Sequence, residues 1–403
     1  MKKPLALLAS ALVAASLPSM LPAGAGEDQA SSRIIVSSTL NHQLIVLDAQ
    51  TLQPTQPNIP TRGTSPVRLW VDEFDGERYL FSANHGITGS VGIYDLDGDI
   101  ILESPASPIP SGGLGAVGIA AARVDVPEVG ERDILAVTNA VFALGGCGMP
   151  AGRLGVYDAT NLELGVLAPI GSYPLEAAIP YAVAVDGGTA SLYTASNCGD
   201  HLQVHDLTGD ADTGLVSVEA AGTIPLGDGP DATLVDAVRE RSYTVNIGGN
   251  SLSVVDTATR TVATTVALPG AGPIDAVLAT SKGGRDWILT SNGRDDTFSI
   301  IDRDAIEACI QASALACSEA QVARISAGVP GGAPEGISYD PVSGRVFVVN
   351  KSPLGSPSLS AIEIDETGPI TGTFVGKVPL GAIDQAVPVP AIIAFDVVVD
   401  QRA

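Results

Sequence analysis

One unit of three strand-like segments recurs along nearly the whole sequence, and this repeat constrains the fold more than any other feature. Each unit opens with an apolar segment that starts at Pro and often ends in Val-Asp. A second segment ends near Asn, and a third, alternating segment ends in Asp. One unit shows the pattern almost without insertions, at Pro230–Asp236, Ser242–Asn246 and Leu252–Asp256. The Gly and Asp clusters between segments are turn signals, so each unit is predicted to supply consecutive β-strands.

The marker residues of the unit recur in order along the chain. The closing aspartate occurs seven times, at Asp48, Asp95, Asp158, Asp206, Asp256, Asp302 and Asp365. The middle asparagine occurs at Asn84, Asn139, Asn197, Asn246, Asn292 and Asn350, with Ser38 in the first unit. The opening proline occurs at Pro66, Pro180, Pro230, Pro273, Pro334 and Pro390, and the third unit begins near Gly115 without one. The alternation before each aspartate has the two-residue period of a strand.

The two ends of the repeat array complement each other. The first unit starts at Ser32 and lacks an opening strand, whereas Pro390–Asp396 is an opening strand with no unit after it. Pairing the two ends would complete the first sheet and remove its unprotected edge. The sequence therefore predicts an all-β fold, a seven-bladed β-propeller of four-stranded blades, closed by pairing of the N- and C-terminal strands.

The units resemble the YVTN-type β-propeller repeat, whose second strand reads Val-Tyr-Val-Thr-Asn and whose third reads Val-Ser-Val-Ile-Asp. The matching segments are Ser242–Asn246, Val346–Asn350, Ile134–Asn139 and Phe298–Asp302. The resemblance extends over nearly all of the chain after its N-terminal segment. It implies the propeller fold, and it includes lactonase-like and amine-dehydrogenase-like relatives. It does not specify an activity, because one fold serves many functions.

The N-terminal segment has the features of a secretory signal. Met1–Lys3 is basic, Pro4–Leu17 is apolar, and Ala23–Ala25 forms an A-x-A cleavage site. We therefore predict a signal peptide over residues 1–25 and a single propeller domain over residues 26–403. The apolar run is too short to span a bilayer comfortably, and no later stretch resembles a span. The expected location is the periplasm or the outside of the cell.

The charge of the chain restricts its partners. The formal net charge is −24, and removing the segment with Lys2 and Lys3 leaves 19 basic against 45 acidic residues, or −26. An acidic surface repels phosphate backbones and anionic lipid, and the sequence has no local basic patch. Nucleic-acid and membrane partners are therefore not expected. We expect a monomer.

Four cysteines in an exported chain predict two disulfide bonds. Cys309 and Cys317 lie in a segment with helical periodicity, residues 304–320, inserted in the sixth unit. Cys147 and Cys198 fall in equivalent loops of neighbouring units. The expected pairs are therefore Cys309–Cys317 and Cys147–Cys198. The sequence has neither C-x-x-C nor C-x-x-C-H, so thiol-redox and c-type haem functions lack support.

A first group of candidate residues begins the inner strands, where the strands would surround the channel mouth: Arg68, Tyr181, Asp231, Asp275 and Glu335. Three carboxylates facing one axis would repel each other unless a cation or Arg68 lay between them. Asp231, Asp275 and Glu335 could therefore hold calcium or another hard cation, as lactonase-like propellers do. Alternatively, these carboxylates cap backbone N–H groups of their own turns.

A second group follows the repeated asparagines on the same face: His42, His85, Cys147, Cys198, His201, Arg294 and Lys351. His85 and His201 are candidate ligand-binding residues. A zinc site formed with His42 would require three blades to converge. The repeated asparagines are predicted to be structural. Aspartates at the opposite ends of inner strands are predicted to form turns, at Asp72, Asp186, Asp236, Asp340 and Asp396.

No motif of catalysis stands out. The sequence has no G-x-S-x-G, phosphate loop or dinucleotide fingerprint. Longer segments interrupt the repeat at Asn139–Gly155 and Asn350–Ser360, and extended loops on a rigid scaffold commonly serve recognition. The leading hypothesis is a non-enzymatic binding or scaffolding propeller whose loops on this face recognise a protein or small molecule. Two alternatives remain: a metal-dependent, lactonase-like hydrolase, and a propeller subunit of an amine-dehydrogenase-like redox complex.

Overall fold

The repeats form seven antiparallel sheets, as predicted. The computed structural model describes residues 32–39, 41–104, 107–140, 146–268, 271–352, 357–380 and 396–401. The predicted signal peptide, residues 1–25, lies outside the described residues. None of the described helices is long and apolar enough to cross a bilayer.

The strands follow the marker residues of the repeat. Blades one to three contain β1 (Arg33–Ser38), β2 (Gln43–Asp48), β3 (Ile59–Pro60), β4 (Pro66–Phe74), β5 (Glu77–Asn84), β6 (Ser90–Asp95), β7 (Leu102–Glu103), β8 (Ile109–Pro110), β9 (Ala116–Val126), β10 (Gly130–Asn139), β11 (Arg153–Asp158) and β12 (Ala168–Pro174). Blades four and five contain β13 (Pro180–Asp186), β14 (Ser191–Ser196), β15 (His201–Asp210), β16 (Leu215–Pro225), β17 (Pro230–Asp236), β18 (Arg241–Asn246), β19 (Ser251–Asp256) and β20 (Thr261–Ala267). Blades six and seven contain β21 (Pro273–Thr280), β22 (Asp286–Asn292), β23 (Thr297–Asp302), β24 (Gln321–Ser326), β25 (Pro334–Asp340), β26 (Arg345–Asn350), β27 (Ser358–Asp365) and β28 (Thr371–Pro379). The last strand, β29 (Val397–Asp400), returns to blade one.

The sheets share one strand order. From the channel outward, blades three to seven use four consecutive strands each, as in β13-β14-β15-β16. Blade two has the order β4-β5-β6-β7, with β8 also paired to β6, and blade one has the order β29-β1-β2-β3. Six of the seven predicted closing aspartates end their strand, whereas β15 continues past Asp206 to Asp210.

The hydrophobic core is divided among the interfaces between blades. Within the described residues it forms seven clusters, and each joins two neighbouring blades. Phe347 of blade seven packs with Ile34 of blade one, and Leu69 of blade two packs with Ile35 of blade one. The middle strands are buried on both faces because a blade covers each side, as in β18 and β19. The hydrophobic effect thus stabilises the ring as a whole, because no blade buries its two faces alone.

The predicted ring closure is confirmed. Strand β29 pairs antiparallel with β1, in a register that places Arg33 opposite Asp400 and Val36 opposite Val397. An ion pair joins the same residues, with Arg33 Nε 2.7 Å from Asp400 Oδ2. Arg78 of blade two adds a second pair, with Nη1 2.5 Å from Asp400 Oδ1. Asp400 is fully buried, so the closing strand is held by charge as well as by its backbone ladder.

The position of the closing strand differs from the prediction. The sequence places it at Pro390–Asp396, whereas the observed strand is Val397–Asp400; residues 381–395 lie outside the described residues. Both segments are apolar and end in Asp, so the sequence pattern does not distinguish them. The turn-end position predicted for Asp396 is therefore wrong, because Asp400 takes that position and Asp396 lies at the opposite end of the strand.

The insertion of blade six is helical only in its first half. Helix α1 (Arg303–Gln311) begins after Asp302, whose side chain accepts hydrogen bonds from the N–H groups of Asp304 (2.9 Å) and Ala305 (3.0 Å). An N-terminal cap of this kind satisfies N–H groups that have no partner within the helix. The predicted Cys309–Cys317 disulfide is present and joins the helix to the segment that returns to β24.

Two of the repeated asparagines bond hydroxyl groups of the strand that follows them, which supports their predicted structural role. Asn246 Nδ2 donates to Ser251 Oγ (3.0 Å) and Ser253 Oγ (2.9 Å). Asn292 makes the equivalent pair of bonds in blade six. Asn246 and Asn292 therefore fix the start of the third strand of their blades.

Candidate functional site

A β-bulge occurs near the start of each inner strand from β4 to β25. Bulges interrupt the register after Pro66, Ala116, Pro180, Pro230, Pro273 and Pro334. A bulge adds one residue to a strand and redirects a side chain. Four predicted site residues lie in these bulges, and Arg68 directly follows one: Tyr181, Asp231, Asp275 and Glu335. The backbone irregularity thus repeats at one end of the channel and places charged residues there.

Two ion pairs connect these residues. Arg68 Nη1 lies 2.6 Å from Asp275 Oδ1, which links blades two and six across the channel. Lys351, directly after β26, places its Nζ 2.8 Å from Glu335 Oε2. The backbone N–H of Ile337 donates to the other oxygen of Asp275 (3.2 Å). Arg68, Asp275 and Glu335 are thereby brought into one network, together with a lysine that the sequence analysis had grouped elsewhere.

Asp396 joins the same network from the closing strand. Its Oδ2 accepts a hydrogen bond from the N–H of Leu69 (2.8 Å), and its Oδ1 accepts one from the N–H of Val397 (2.8 Å). Burial and the charge of Asp275 raise the pKa of Asp396 to about 7, and Arg68 opposes this rise. We call Arg68, Tyr181, Asp231, Asp275, Glu335, Lys351 and Asp396 the mouth cluster.

Asp231 is the least satisfied member of the mouth cluster. It is 5% exposed. No hydrogen-bond donor or ion-pair partner contacts its carboxylate within the described residues. Burial, together with the charges of Glu335 and Asp275, raises its pKa to about 7, against the opposing charges of Arg68 and Lys351. Because a buried carboxylate without a donor is costly to ionise, Asp231 is poised to accept a donor or cation from outside the chain.

Charge and burial also shift the pKa values of other members of the mouth cluster. Burial disfavours the charged form of Arg68, but the four carboxylates of the mouth cluster outweigh this effect and raise its pKa above its usual value. Burial raises the pKa of the Tyr181 phenol, and the charges of Asp231 and Glu335 add to the rise. Burial likewise raises the pKa of Glu335, against the opposing charge of Lys351. The mouth cluster therefore keeps Arg68 charged and Tyr181 protonated.

The three carboxylates predicted to bind a cation do not form a closed set of ligands. Their oxygens do not all lie within 4.8 Å of one another, and two of the three carboxylates already pair with a cation. The only group of three close metal-ligating residues in the described part of the chain is Cys309, Cys317 and Glu319. Its cysteines are bonded to each other, so neither offers a thiolate. A calcium site at the mouth cluster stays a prediction.

His42, His85 and His201 each form a hydrogen bond with the backbone. His42 Nδ1 accepts a hydrogen bond from the N–H of Ser65 (2.9 Å), and His201 Nδ1 donates to the carbonyl of Gly199 (2.7 Å). Burial lowers the pKa of His85, which hydrogen-bonds the backbone where blade three begins. These contacts hold the three histidines separately, with His201 at the start of β15. Ligand binding by His85 and His201 stays a prediction.

An apolar cavity lies below the mouth cluster, within the channel. Its volume is about 260 Å³, and residues from all seven inner strands line it. Arg68, Tyr181, Asp275 and Asp396 are the first residues that their strands contribute, so they form one end of the cavity. The next residues of each strand are mainly aliphatic, with Trp70 among them. The channel is thus charged at its mouth and apolar inside.

The predicted Cys147–Cys198 disulfide is present, with a Cα–Cα distance of 5.3 Å. It ties the extended loop of blade three to the turn between β14 and β15. Because both loops follow second strands, the bridge lies on the face of the mouth cluster. Residues 141–145 of this loop and 353–356 of the blade-seven loop lie outside the described residues.

The sequence analysis missed two features of the site. Lys351 and Asp396 could not be assigned to the channel, because neither starts a predicted inner strand. The bulges also escaped detection, although a polar residue directly after the opening proline was a usable signal at Tyr181, Asp231 and Glu335. A polar residue at the start of an otherwise buried strand needs a local change in direction to reach solvent or a partner.

Comparison with solved structures identifies the architecture. A periplasmic gluconolactonase from Pseudomonas aeruginosa superposes with a TM-score of 0.64 at 16% identity, over 87% of this chain and 97% of that one. A 6-phosphogluconolactonase-like protein from Bacteroides fragilis superposes with a TM-score of 0.61 at 12% identity, over 88% and 97%. The fold is that of lactonase-like seven-bladed propellers.

The similarity extends to propellers of other chemistry. A chain of hydrazine synthase from Kuenenia stuttgartiensis superposes with a TM-score of 0.55 at 15% identity, over 86% of this chain and 99% of that one. No protein-family model matches the sequence, and no curated protein is similar to it. At such identities the likeness concerns the fold, and function must be argued from the mouth cluster.

Proposed function

We propose that the protein is an exported binding propeller whose ligand site is the mouth cluster. The observation that carries the proposal is the buried Asp231 carboxylate, which has no donor within the described residues. A ligand that brings a hydrogen-bond donor or a positive charge would satisfy this group. Buried polar groups are normally hydrogen-bonded, and exceptions are concentrated at functional sites.

Two observations support export. Both cysteine pairs are disulfide-bonded, and disulfides persist mainly in oxidising compartments. The N-terminal segment has the basic, apolar and A-x-A features of a secretory signal. We therefore place the protein in the periplasm or outside the cell.

The loops beside the mouth cluster support recognition. The blade-three loop is anchored to blade four by Cys147–Cys198, and the blade-seven loop begins at Lys351, which already belongs to the mouth cluster. A loop fixed at its base loses less conformational freedom on binding. We propose that these loops add specificity to a ligand held at the channel.

A second function, a lactonase-like hydrolase, is favoured by the protonation state of Asp231. A carboxyl with a pKa of about 7 suits a general base that acts near neutral pH. Arg68 and Lys351 lie in the same cluster and could stabilise the negative charge that develops on a lactone carbonyl oxygen. The fold is similar to that of the Pseudomonas gluconolactonase.

The first experiment measures the metal content of the purified protein and its melting temperature with and without a chelator. Calcium titration and hydrolysis of gluconolactone follow, on the wild type and on Asp231→Asn. The matched control is Asp212→Asn, an exposed aspartate in the outer turn between β15 and β16.

The binding proposal predicts a ligand-dependent rise in melting temperature that Asp231→Asn reduces and Asp212→Asn preserves. Turnover of gluconolactone that Asp231→Asn abolishes would favour the hydrolase instead. If Asp231→Asn binds calcium and every tested small molecule as the wild type does, the mouth cluster is not the site.

A further inference from the structure

Part of the wall of the channel cavity consists of side chains that are apolar yet only partly buried. Trp70, Leu234, Val277, Leu278 and Val398 all line the cavity and keep some exposure there. They come from four different blades. Contact of this kind with water is unfavourable, and an apolar group in the cavity would relieve it.

The cavity is large enough to hold such a group. An engineered protein cavity of about 150 Å³ that is lined by Leu, Ile and Phe stays dry and binds benzene. The channel cavity has about 260 Å³. It therefore has room for an apolar group larger than one benzene ring.

The charge at the mouth determines what the apolar group must carry. Four carboxylates and two cations meet in the mouth cluster, and the ion pairs use Asp275 with Arg68 and Glu335 with Lys351. Asp396 is held by two backbone N–H groups. Asp231 alone lacks a partner in the described residues, and its charge acts on Arg68 and Tyr181, which line the cavity.

We infer that the ligand is an amphipathic amine, whose ammonium group binds Asp231 while its apolar group enters the channel cavity. The inference rests on the proposed binding function and specifies the class of ligand. A polyhydroxylated sugar lactone meets the charged mouth but has no apolar group for the cavity. A bare metal ion likewise leaves the cavity unfilled.

The test titrates the full exported chain with ethylamine, butylamine and hexylamine at pH 8, where the amines and Asp231 are charged. Calorimetry measures the affinities, and hexanol and hexanoate serve as neutral and anionic analogues. We expect affinity to rise about fourfold for each methylene that enters the cavity. Hexylamine should bind at least tenfold more tightly than hexanol, and hexanoate should not bind.

Variants separate the two ends of the ligand. Asp231→Asn should lower the affinity for hexylamine at least tenfold and leave the affinity for hexanol unchanged, whereas Asp212→Asn should change neither affinity. Leu278→Met, which conserves volume, should keep the chain-length dependence, and Leu278→Asn should reduce it. A circular-dichroism spectrum of each variant identifies any that fails to fold.

Three outcomes would overturn the inference. If ethylamine and hexylamine bind with equal affinity and Asp231→Asn binds neither, the mouth cluster is a binding site but its ligand needs no apolar group. If hexanol and hexylamine bind with equal affinity, the ammonium group does not contribute to binding. If no amine binds, the ligand is not an amphipathic amine. The calcium and gluconolactone titrations would still decide the proposed function.

Discussion

Replacing Asp400 with Asn should destabilise the ring at its point of closure. Asp400 is fully buried and holds two guanidinium groups, with Arg33 Nη2 2.6 Å from Oδ2 and Arg78 Nη1 2.5 Å from Oδ1. Arg33 also donates to the carbonyls of Leu96 and Gly98. Asparagine keeps the size of the side chain, so the substitution creates no cavity. It leaves Arg33 buried without an opposite charge.

The cost follows from that burial. Removing one partner of a buried ion pair costs about 3–5 kcal/mol, because the other charge stays desolvated. Unfolding roughly 370 residues has an entropy of about 0.8 kcal/mol/K, at about 2.1 cal/mol/K per residue. The melting temperature of Asp400→Asn should therefore fall by about 4–6 °C.

Differential scanning calorimetry on both proteins measures this shift. The matched control is Asp75→Asn, because Asp75 pairs with Arg123 at 2.7 Å but is more than half exposed. An exposed pair contributes about 0–1 kcal/mol, so the control should melt within about 1 °C of the wild type. If Asp400→Asn melts as the wild type does, the ion pairs do not contribute to closure and the reasoning is wrong.

Two further predictions concern the disulfides and the mouth cluster. The Cys147–Cys198 disulfide joins residues 51 apart in sequence, and replacing both cysteines by Ser should lower the free energy of unfolding by about 4 kcal/mol. The Cys309–Cys317 disulfide joins residues 8 apart, and the same replacement there should lower it by about 2.5 kcal/mol. Chemical denaturation measures both losses, and the reverse order would contradict the chain-entropy account. The raised pKa of Asp231 favours its protonated form in the folded state, so its contribution to stability is complete below about pH 4 and is lost as pH rises to about 7. Asp231→Asn, which does not titrate, should therefore gain stability relative to the wild type between about pH 4 and pH 7, by up to about 1.4 kcal/mol per pH unit, and a constant difference across this range would refute the assignment.

The repeat made the fold predictable because each marker residue has a local physical role. Asp256 shows this, since its side chain accepts hydrogen bonds from the N–H and hydroxyl of Thr259 and so ends β19 at a turn. A local contact of this kind leaves a trace in each unit. Periodicity then fixes the number of strands, and the complementary ends fix the closure.

The mouth cluster was only partly predictable because its contacts join distant parts of the chain. Arg68 and Asp275 are brought together by the ring, and nothing near either residue in the sequence indicates the other. The bulge that redirects Asp231 breaks the two-residue period on which strand prediction depends. Asp396 was assigned to the wrong end of its strand because two successive segments share one pattern.

The pairing of β1 with β29 also affects the order in which the molecule can be assembled. Arg33 and Asp400 are separated by 367 residues, and the inner strand of blade one follows all six other blades in the chain. Loop-closure entropy grows only slowly with length, so the distance itself adds little to the cost. During synthesis, however, the inner edge of β1 has no partner until the last strand arrives. An open edge of buried aliphatic residues is a template for pairing with a second chain, so a product truncated before β29 should be prone to strand exchange and aggregation.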